Sequence, residues 1–344
     1  MPQVPVHVMF EHAGDLKPFG CSYIRILLPL GHPDNEPHFA VTRGVEYRSA
    51  PLVLVERTWK PGVTAGDAEA LVGRIRRDRA RLVYFLDDNL LDLSAVPVSV
   101  KAAVRLFCRE ADLVVVSTPA LADRLAGLNG RVRVLPNAID ERLFFAPGGE
   151  GAPAAWNEVV MGYMGTFTHD RDVMMVVQPL REVLRRHAGS VALEIVGAFA
   201  NPSLAQLFDG LPVRLLQVPR DDVEYPAFVG WMRRHLRWDF GIAPLADTHF
   251  NRTKSDIKFL DYSALGFPGV YSAVPAYGDA VAHEDTGLLV ANEPSGWAAA
   301  LERMVAGAGE RAALGIRARE YVARERVLAV CASKWRQAVV SVLG

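Results

Sequence analysis

The stretch DLVVVSTPALADRLAGLNGRVRVLPN, residues 112–137, reads as strand, helix, strand. DLVVVST and RVRVLPN are short and rich in Val and Leu, and PALADRLAGLNG between them carries helical spacing. The same alternation extends towards the amino terminus. VHVMF (6–10), PLVLVER (51–57) and RLVYFLDD (81–88) are further apolar runs, and GDAEALVGRIRRDRA (66–80) is a helical segment between two of them. Near-continuous apolar runs indicate strands buried on both faces of a parallel sheet, and strand then helix, repeated, means a doubly wound α/β domain.

A break follows at APGGEGAPAAW (146–156), where Gly, Pro and Ala crowd together without periodicity, as in a linker. The pattern then restarts with VVMGYMGTF, VALEIVGAF, VRLLQV, WDFGIAP and GVYSA, with helices such as QPLREVLRRHAG between. The tail from residue 296 is helical nearly throughout, with Gly307, Gly309 and Gly315 as interruptions. The expectation is a domain over residues 1–150, a second over 151–325 and a terminal helix over 326–344, with ligands in a cleft at the carboxyl ends of the strands.

A chain of 344 residues suits two domains, each able to bury its own core. Half the residues are apolar, 22% are charged and the net charge is -1, the composition of a soluble globular protein with no bias towards nucleic acid. RIRRDRARL (74–82) and MRRHLRW (232–238) are local basic clusters, either solvated helix faces or points that meet phosphates or, peripherally, an anionic membrane surface. Cys21, Cys108 and Cys331 lie far apart with no CxxC pair, which argues against a metal site or a disulfide framework and suits a reducing cytosol. The first residues lack a basic start and apolar run, and no stretch is long and apolar enough for a membrane span, so a cytoplasmic location is expected.

Polar residues just after buried strands are the candidates for chemistry, because fixed strand ends are where a cleft collects ligands. Four places qualify. In GYMGTFTHDRD (162–172) a strand ends in Gly165 before Thr, His and Arg, a turn whose N–H groups and following helix suit a diphosphate, or which is only an N-cap. In TKSDIKFLDYSALGFPGVYS (253–272), Lys258 and Asp261 lie three apart, so on a helix both reach one side, as phosphate cation and ribose hydroxyl acceptor, or as a surface ion pair. In YFLDDNL (84–90), Asp87 and Asp88 end a buried strand and suit acceptor hydroxyls or a base, or cap the next turn. In HAGDLKPFGCSYIRILLPLGH (12–32), Gly20, Ser22 and Arg25 open a helical segment after the first strand, where a phosphate or sugar can be admitted. There is no HExxH, Walker loop, GxSxG or GxGxxG, and no metal can be argued.

These segments together resemble the large retaining GT-B glycosyltransferase family, glycosyl transferases group 1, of bacterial polysaccharide assembly. The most telling piece is KSDIKFLDYSALGFPGVYSAVPAYGDAVAHEDTGLLV, with its Lys, an acidic residue in a helix, Ala-x-Gly-x-Pro, a strand and Thr-Gly-Leu-Leu-Val. GYMGTFTHDRD resembles the family's phosphate-binding strand-end loop, and DLVVVSTPALADRL, VRVLPNAID and VYFLDDNL resemble parts of its first domain. The resemblance implies two Rossmann-like domains facing a central cleft, with the last helix, containing Trp335, crossing back to the first. It implies a nucleotide-diphosphate sugar as co-substrate, no cofactor and no metal, and a saccharide, lipid-linked or small-molecule acceptor. Arg171 and Lys258 would carry the chemistry; Gly165, Thr166, His169, Gly197, Lys254, Asp256 and Asp261 would bind the donor; Gly20, Ser22, Arg25, Asp87 and Asp88 would lie near the acceptor. The family commonly has Glu, seven residues, Glu; here the second position is Asp261, the first falls on Thr253, and Asp256 is the nearby substitute.

Two other readings stand beside transfer. One is a GT-B epimerase or phosphorylase; the other is a non-catalytic nucleotide-sugar-binding partner, suggested by Thr253.

Overall fold

The computed structural model describes residues 2–148, 158–165, 169–197, 201 and 203–344. The chain divides into two compact units. The first comprises residues 1–140, 253–255 and 327–344; the second comprises 141–252 and 256–326. Of the expected linker at 146–156, only 146–148 lie within the described residues.

The first unit holds a parallel sheet of β1 (Val4–Met9), β2 (Phe39–Arg43), β3 (Leu52–Glu56), β4 (Arg81–Leu86), β5 (Leu113–Val116) and β6 (Val132–Val134), in the order β2-β1-β3-β4-β5-β6. Both faces are covered. Leu82, Tyr84 and Leu86 of β4 pack on one side with Leu71, Ile75, Val104 and Phe107. Val83 and Phe85 pack on the other with Ile26, Leu30, Trp335 and Val339. That is why β4 reads as an unbroken apolar run: its alternate side chains enter two different cores. β2 has no such run because only Phe39 is buried and the next four residues are exposed. It is an edge strand, and the sequence pattern passes over it.

The terminal helix Leu328–Val340 belongs to this first unit. Its Trp335 ring packs against Phe39 and Phe85, and its Nε1 donates to the Arg25 carbonyl at 2.9 Å. In an α-helix that carbonyl would accept from residue 29, which is Pro29 and has no N–H. The helical segment from Gly20 accordingly widens into a π-turn at Tyr23–Leu27.

The second unit holds β7 (Val159–Met164), β8 (Val191–Val196), β9 (Val213–Leu216), β10 (Phe240–Ala243), β11 (Gly269–Ser272) and β12 (Leu288–Val290), all parallel in the order β12-β11-β10-β7-β8-β9. Of the three glycines expected to interrupt the tail, only Gly307 separates helices, Pro294–Ala306 from Ala308–Glu325. Gly309 and Gly315 lie inside the latter. Gly315 is there for close packing: a Cβ would sit 2.7 Å from the Gly266 carbonyl oxygen.

In each sheet the strand order reverses beside the first strand, between β1 and β3 in one unit and between β7 and β10 in the other. Connections leave such a point in opposite directions, so a crevice opens beyond the carboxyl ends of the strands. No helix among the described residues is long and apolar enough to cross a membrane, and no group of three or more His, Cys, Asp or Glu among them could hold a metal ion.

Candidate functional site

At the β7/β10 reversal, β7 runs out at Gly165 and β8 at Gly197, and the two glycines abut. A Cβ on Gly197, whose φ is +110°, would lie 1.9 Å from the Gly165 carbonyl oxygen; one on Gly165 would lie 2.4 Å from the Tyr163 hydroxyl. Neither position admits a side chain, and Gly197 has a backbone that L-residues rarely adopt. Thr166 lies outside the described residues. Beyond them comes a helix of one short turn, Asp170–Met174, carrying Arg171 exposed and Asp172 buried.

Asp172 organises this end of the sheet. Oδ2 lies 2.7 Å from His169 Nδ1, and Oδ1 accepts from Ala246 N at 2.8 Å and Asn251 Nδ2 at 3.2 Å in the loop after β10. Burial works against ionisation, yet the His169 ring, the Ala246 N–H and the Lys258 charge outweigh it and hold this carboxyl below its usual range.

Lys258 and Asp261 lie on the helix Ile257–Ala264, which is buried from residue 258 to its end. Burial excludes a surface ion pair, and the two side chains part company. Lys258 Nζ lies over the Tyr163 ring, 5.1 Å from its centre, while Asp261 Oδ1 accepts from the Tyr225 hydroxyl at 2.9 Å. Burial pushes the Asp261 carboxyl up to about 7 against the Tyr225 hydrogen bond that favours its charge. Asp256, just before the helix, is gripped by Arg326 at 2.8 and 3.1 Å.

The first unit assembles a second group at its β1/β3 reversal. Arg57, directly after β3, has φ +45°, and Trp59 has φ +42°. Such backbone costs on the order of 1–3 kcal/mol per residue and persists only where the surroundings enforce it. They do. Arg57 N donates to Phe85 O and Tyr84 Oη to Arg57 O, both at 2.9 Å, while the guanidinium meets Glu11 at 2.7 Å, Asp87 at 3.1 Å and Asp88 at 3.4 Å. Glu11 also accepts from the Thr58 hydroxyl.

Beneath this cluster Glu56 takes the Ser22 hydroxyl and the Glu11 N–H on Oε2, and burial with the Asp87 charge pushes its carboxyl up to about 7. Gly20 begins the helix that presents Ser22. Arg25 braces strand ends instead, donating to Leu135 O and Asn137 Oδ1 at 2.7 Å and to Val116 O at 3.1 Å. Lys254 falls in the short segment 253–255 that joins this unit; Thr118 bonds to the Thr253 carbonyl, Asn137 to Ser255, and Lys254 Nζ lies 3.5 Å from Asp88.

The sequence pattern does not single out Glu11, Glu56, Arg57 or Tyr225, and it shows Asp172 only as part of an N-cap. Glu56 and Arg57 end the strand run PLVLVER, so the strand-end rule that selects Asp87 applies to them as well. Glu11, directly after the run VHVMF, falls under the same rule, and nothing local marks Tyr225.

Residues 158–307 match the family described as glycosyl transferases group 1. In structure the chain is similar to HepE from Anabaena in complex with UDP-glucose, with 15% identity and a TM-score of 0.71 over 98% of this chain and 100% of that one. It is similar also to sucrose-phosphate synthase from Thermosynechococcus elongatus, with 14% identity and a TM-score of 0.70 over 99% of both chains. TarM of S. aureus is 13% identical with a TM-score of 0.61, over 83% of this chain and 54% of TarM. No curated protein matches by sequence. The fold is GT-B, with two Rossmann-like units.

Proposed function

We propose that this chain is a glycosyltransferase that moves a sugar from a nucleoside-diphosphate sugar to a hydroxyl acceptor. The observation that carries the reading is the set of groups at the β7/β10 reversal, inside the stretch that matches glycosyl transferases group 1: side-chain-free ends at Gly165 and Gly197, His169 and Arg171 beyond them, and Lys258 over Tyr163. Breaking a glycosyl–phosphate bond leaves growing negative charge on a diphosphate, and a site lowers that barrier by cations and dipoles already aimed at it. Lys258 and Arg171 serve as those cations. Asp261, held by Tyr225, receives ribose hydroxyls. The resemblance supports retention of anomeric configuration, with attack on the face the leaving phosphate departs from and no protein nucleophile.

The acceptor is assigned to the first unit, where Asp87, Asp88 and Lys254 line the β1/β3 reversal at 18%, 25% and 18% exposure, open enough to meet hydroxyls. Arg57 holds Asp87 and Asp88 in place. HepE in complex with UDP-glucose supports the nucleoside-diphosphate sugar as donor, and a mutant of S. aureus TarM in complex with α-GlcNAc-glycerol and UDP supports a saccharide-like acceptor.

One observation favours a second reading, a nucleotide-sugar-binding protein without transfer. Thr253 stands where the family's first Glu is common, and the Asp256 carboxylate is already engaged by Arg326. Purified protein incubated with UDP-, GDP- and dTDP-glucose separates the two: release of the diphosphate or transfer to a saccharide supports the enzyme, and a rise in melting temperature with a donor but no turnover supports the binder.

A further inference from the structure

The β7 and β10 loops stand on opposite sides of the reversal, and a buried carboxylate joins them. Asp172 is 4% exposed and uses its two oxygens differently: Oδ2 on the His169 ring, Oδ1 on the Ala246 N–H and the Asn251 amide. We infer that Asp172 is the positioning residue of this site, fixing the His169 ring with its proton on Nδ1 and locking the loop after β10 in the same geometry. The inference rests on the nucleoside-diphosphate reading and names the group that makes His169 fit for it.

Donor and acceptor capacity decide the tautomer. An ionised carboxylate only accepts, so the 2.7 Å contact requires a proton on His169 Nδ1. Nε2 then becomes the ring atom that takes up and releases a proton. A carboxylate behind an imidazole fixes its orientation and favours its cationic form. A protonated His169 adds positive charge beside Arg171 and within the same carboxylate's reach as Lys258, suited to a diphosphate.

The other titratable groups around Asp172 do not take over this role. The Tyr163 and Tyr277 phenols are pushed well above their ordinary value by burial, so they stay neutral. Asp170 accepts the Asn201 N–H at 2.8 Å, and Asp247 is occupied with Arg252 at 2.6 and 2.8 Å. Lys258 adds a further positive charge that acts on Asp172.

The test uses the full chain with ¹⁵N-labelled histidine, the signal of residue 169 being assigned by its disappearance in His169→Gln. Long-range ¹H–¹⁵N spectra at pH 8 are expected to show the Nδ1–H tautomer, and Asp172→Asn is expected to lower the titration midpoint of that ring by about one unit or more. Calorimetric titration with UDP from pH 6 to 8.5 is expected to show binding that weakens as the ring deprotonates, with the inflection displaced to lower pH in Asp172→Asn and absent in His169→Gln. A merely structural Asp172 would weaken UDP binding equally at every pH. A wild-type ring protonated on Nε2 at pH 8, or an Asp172→Asn ring that titrates as wild type, overturns the inference. If Asp172→Asn does not fold, the wild-type tautomer decides it. Should UDP and other nucleoside diphosphates fail to bind the wild type at any pH, the nucleotide reading falls while the tautomer result still judges Asp172.

Discussion

Trp335 Nε1 donates to the carbonyl of Arg25 at 2.9 Å, a carbonyl whose α-helical partner is abolished by Pro29. The bond joins residues 310 positions apart and ties the last helix to the segment that carries Ser22 and Arg25. Trp335→Phe keeps most of the ring packing and removes the donor, leaving a buried carbonyl unsatisfied. We expect it to cost about 1–3 kcal/mol, and Trp335→Ala about 3–5 kcal/mol, in urea unfolding followed by circular dichroism. An unchanged midpoint for Trp335→Phe would show that water or a shifted turn serves the carbonyl equally well.

Gly197→Ala should damage the donor side. The new Cβ meets the Gly165 carbonyl oxygen at 1.9 Å and the residue must hold φ +110°, so the two strand ends have to separate. Gly66→Ala is the control, because it lies in the helix Ala65–Arg77 with its nearest neighbour at 3.9 Å. We expect a lower melting temperature and lost UDP binding for Gly197→Ala, and for Gly66→Ala unchanged binding with a gain of about 0.5–1 kcal/mol. Equal behaviour of the two variants would mean that close approach at Gly197 does not matter to the fold or the site.

Lys258→Ala and Arg171→Ala should separate by burial. Lys258 is 9% exposed and its charge acts in a poorly screened setting, whereas Arg171 is exposed and more fully screened. In calorimetry with UDP we expect a loss on the order of 100-fold for Lys258→Ala and about 10-fold for Arg171→Ala, the latter shrinking in higher salt. If both variants bind and turn over donor as wild type does, the assignment of these cations is wrong.

Stability should fall as pH rises towards 7 and beyond. Asp261 and Glu56 both have carboxyls pushed up to about 7 in the folded chain by burial, from ordinary values of 3.8 and 4.5. Between those limits the folded state binds more protons than the unfolded state, so each group's contribution is whole below about pH 4 and is lost through pH 7. Asp261→Asn and Glu56→Gln are permanently neutral and should flatten this decline. Urea midpoints at pH 5, 6, 7 and 8 measure it; parallel curves for variants and wild type would mean that the two carboxyls ionise as readily folded as unfolded.

The sequence made much of the architecture legible. The unbroken apolar runs of β3, β4 and β5 point to strands covered on both sides, and the two cores sharing β4 are the reason. β2 escaped because four of its five residues face out, so no burial pattern is written into them. Gly315 looked like a helix breaker and is a packing site, since the Gly266 carbonyl that crowds it arrives from a loop some fifty residues away in the chain.

What the sequence by itself determined is which residues end buried strands, because hydrophobic runs and their stops are local: Gly165, Asp87, Asp88 and, by the same rule, Arg57 are visible there. What only the tertiary structure decided is which of those ends meet. Strand order placed β7 beside β10 and β1 beside β3, and with that gave Asp172 its two loops and Arg57 its three carboxylates. It also sent Lys258 towards Tyr163 and Asp261 towards Tyr225, though three residues on a helix had suggested a shared side. The physical reason is that hydrogen bonds and ion pairs act over a few ångströms in space, whereas a sequence records only separation along the chain.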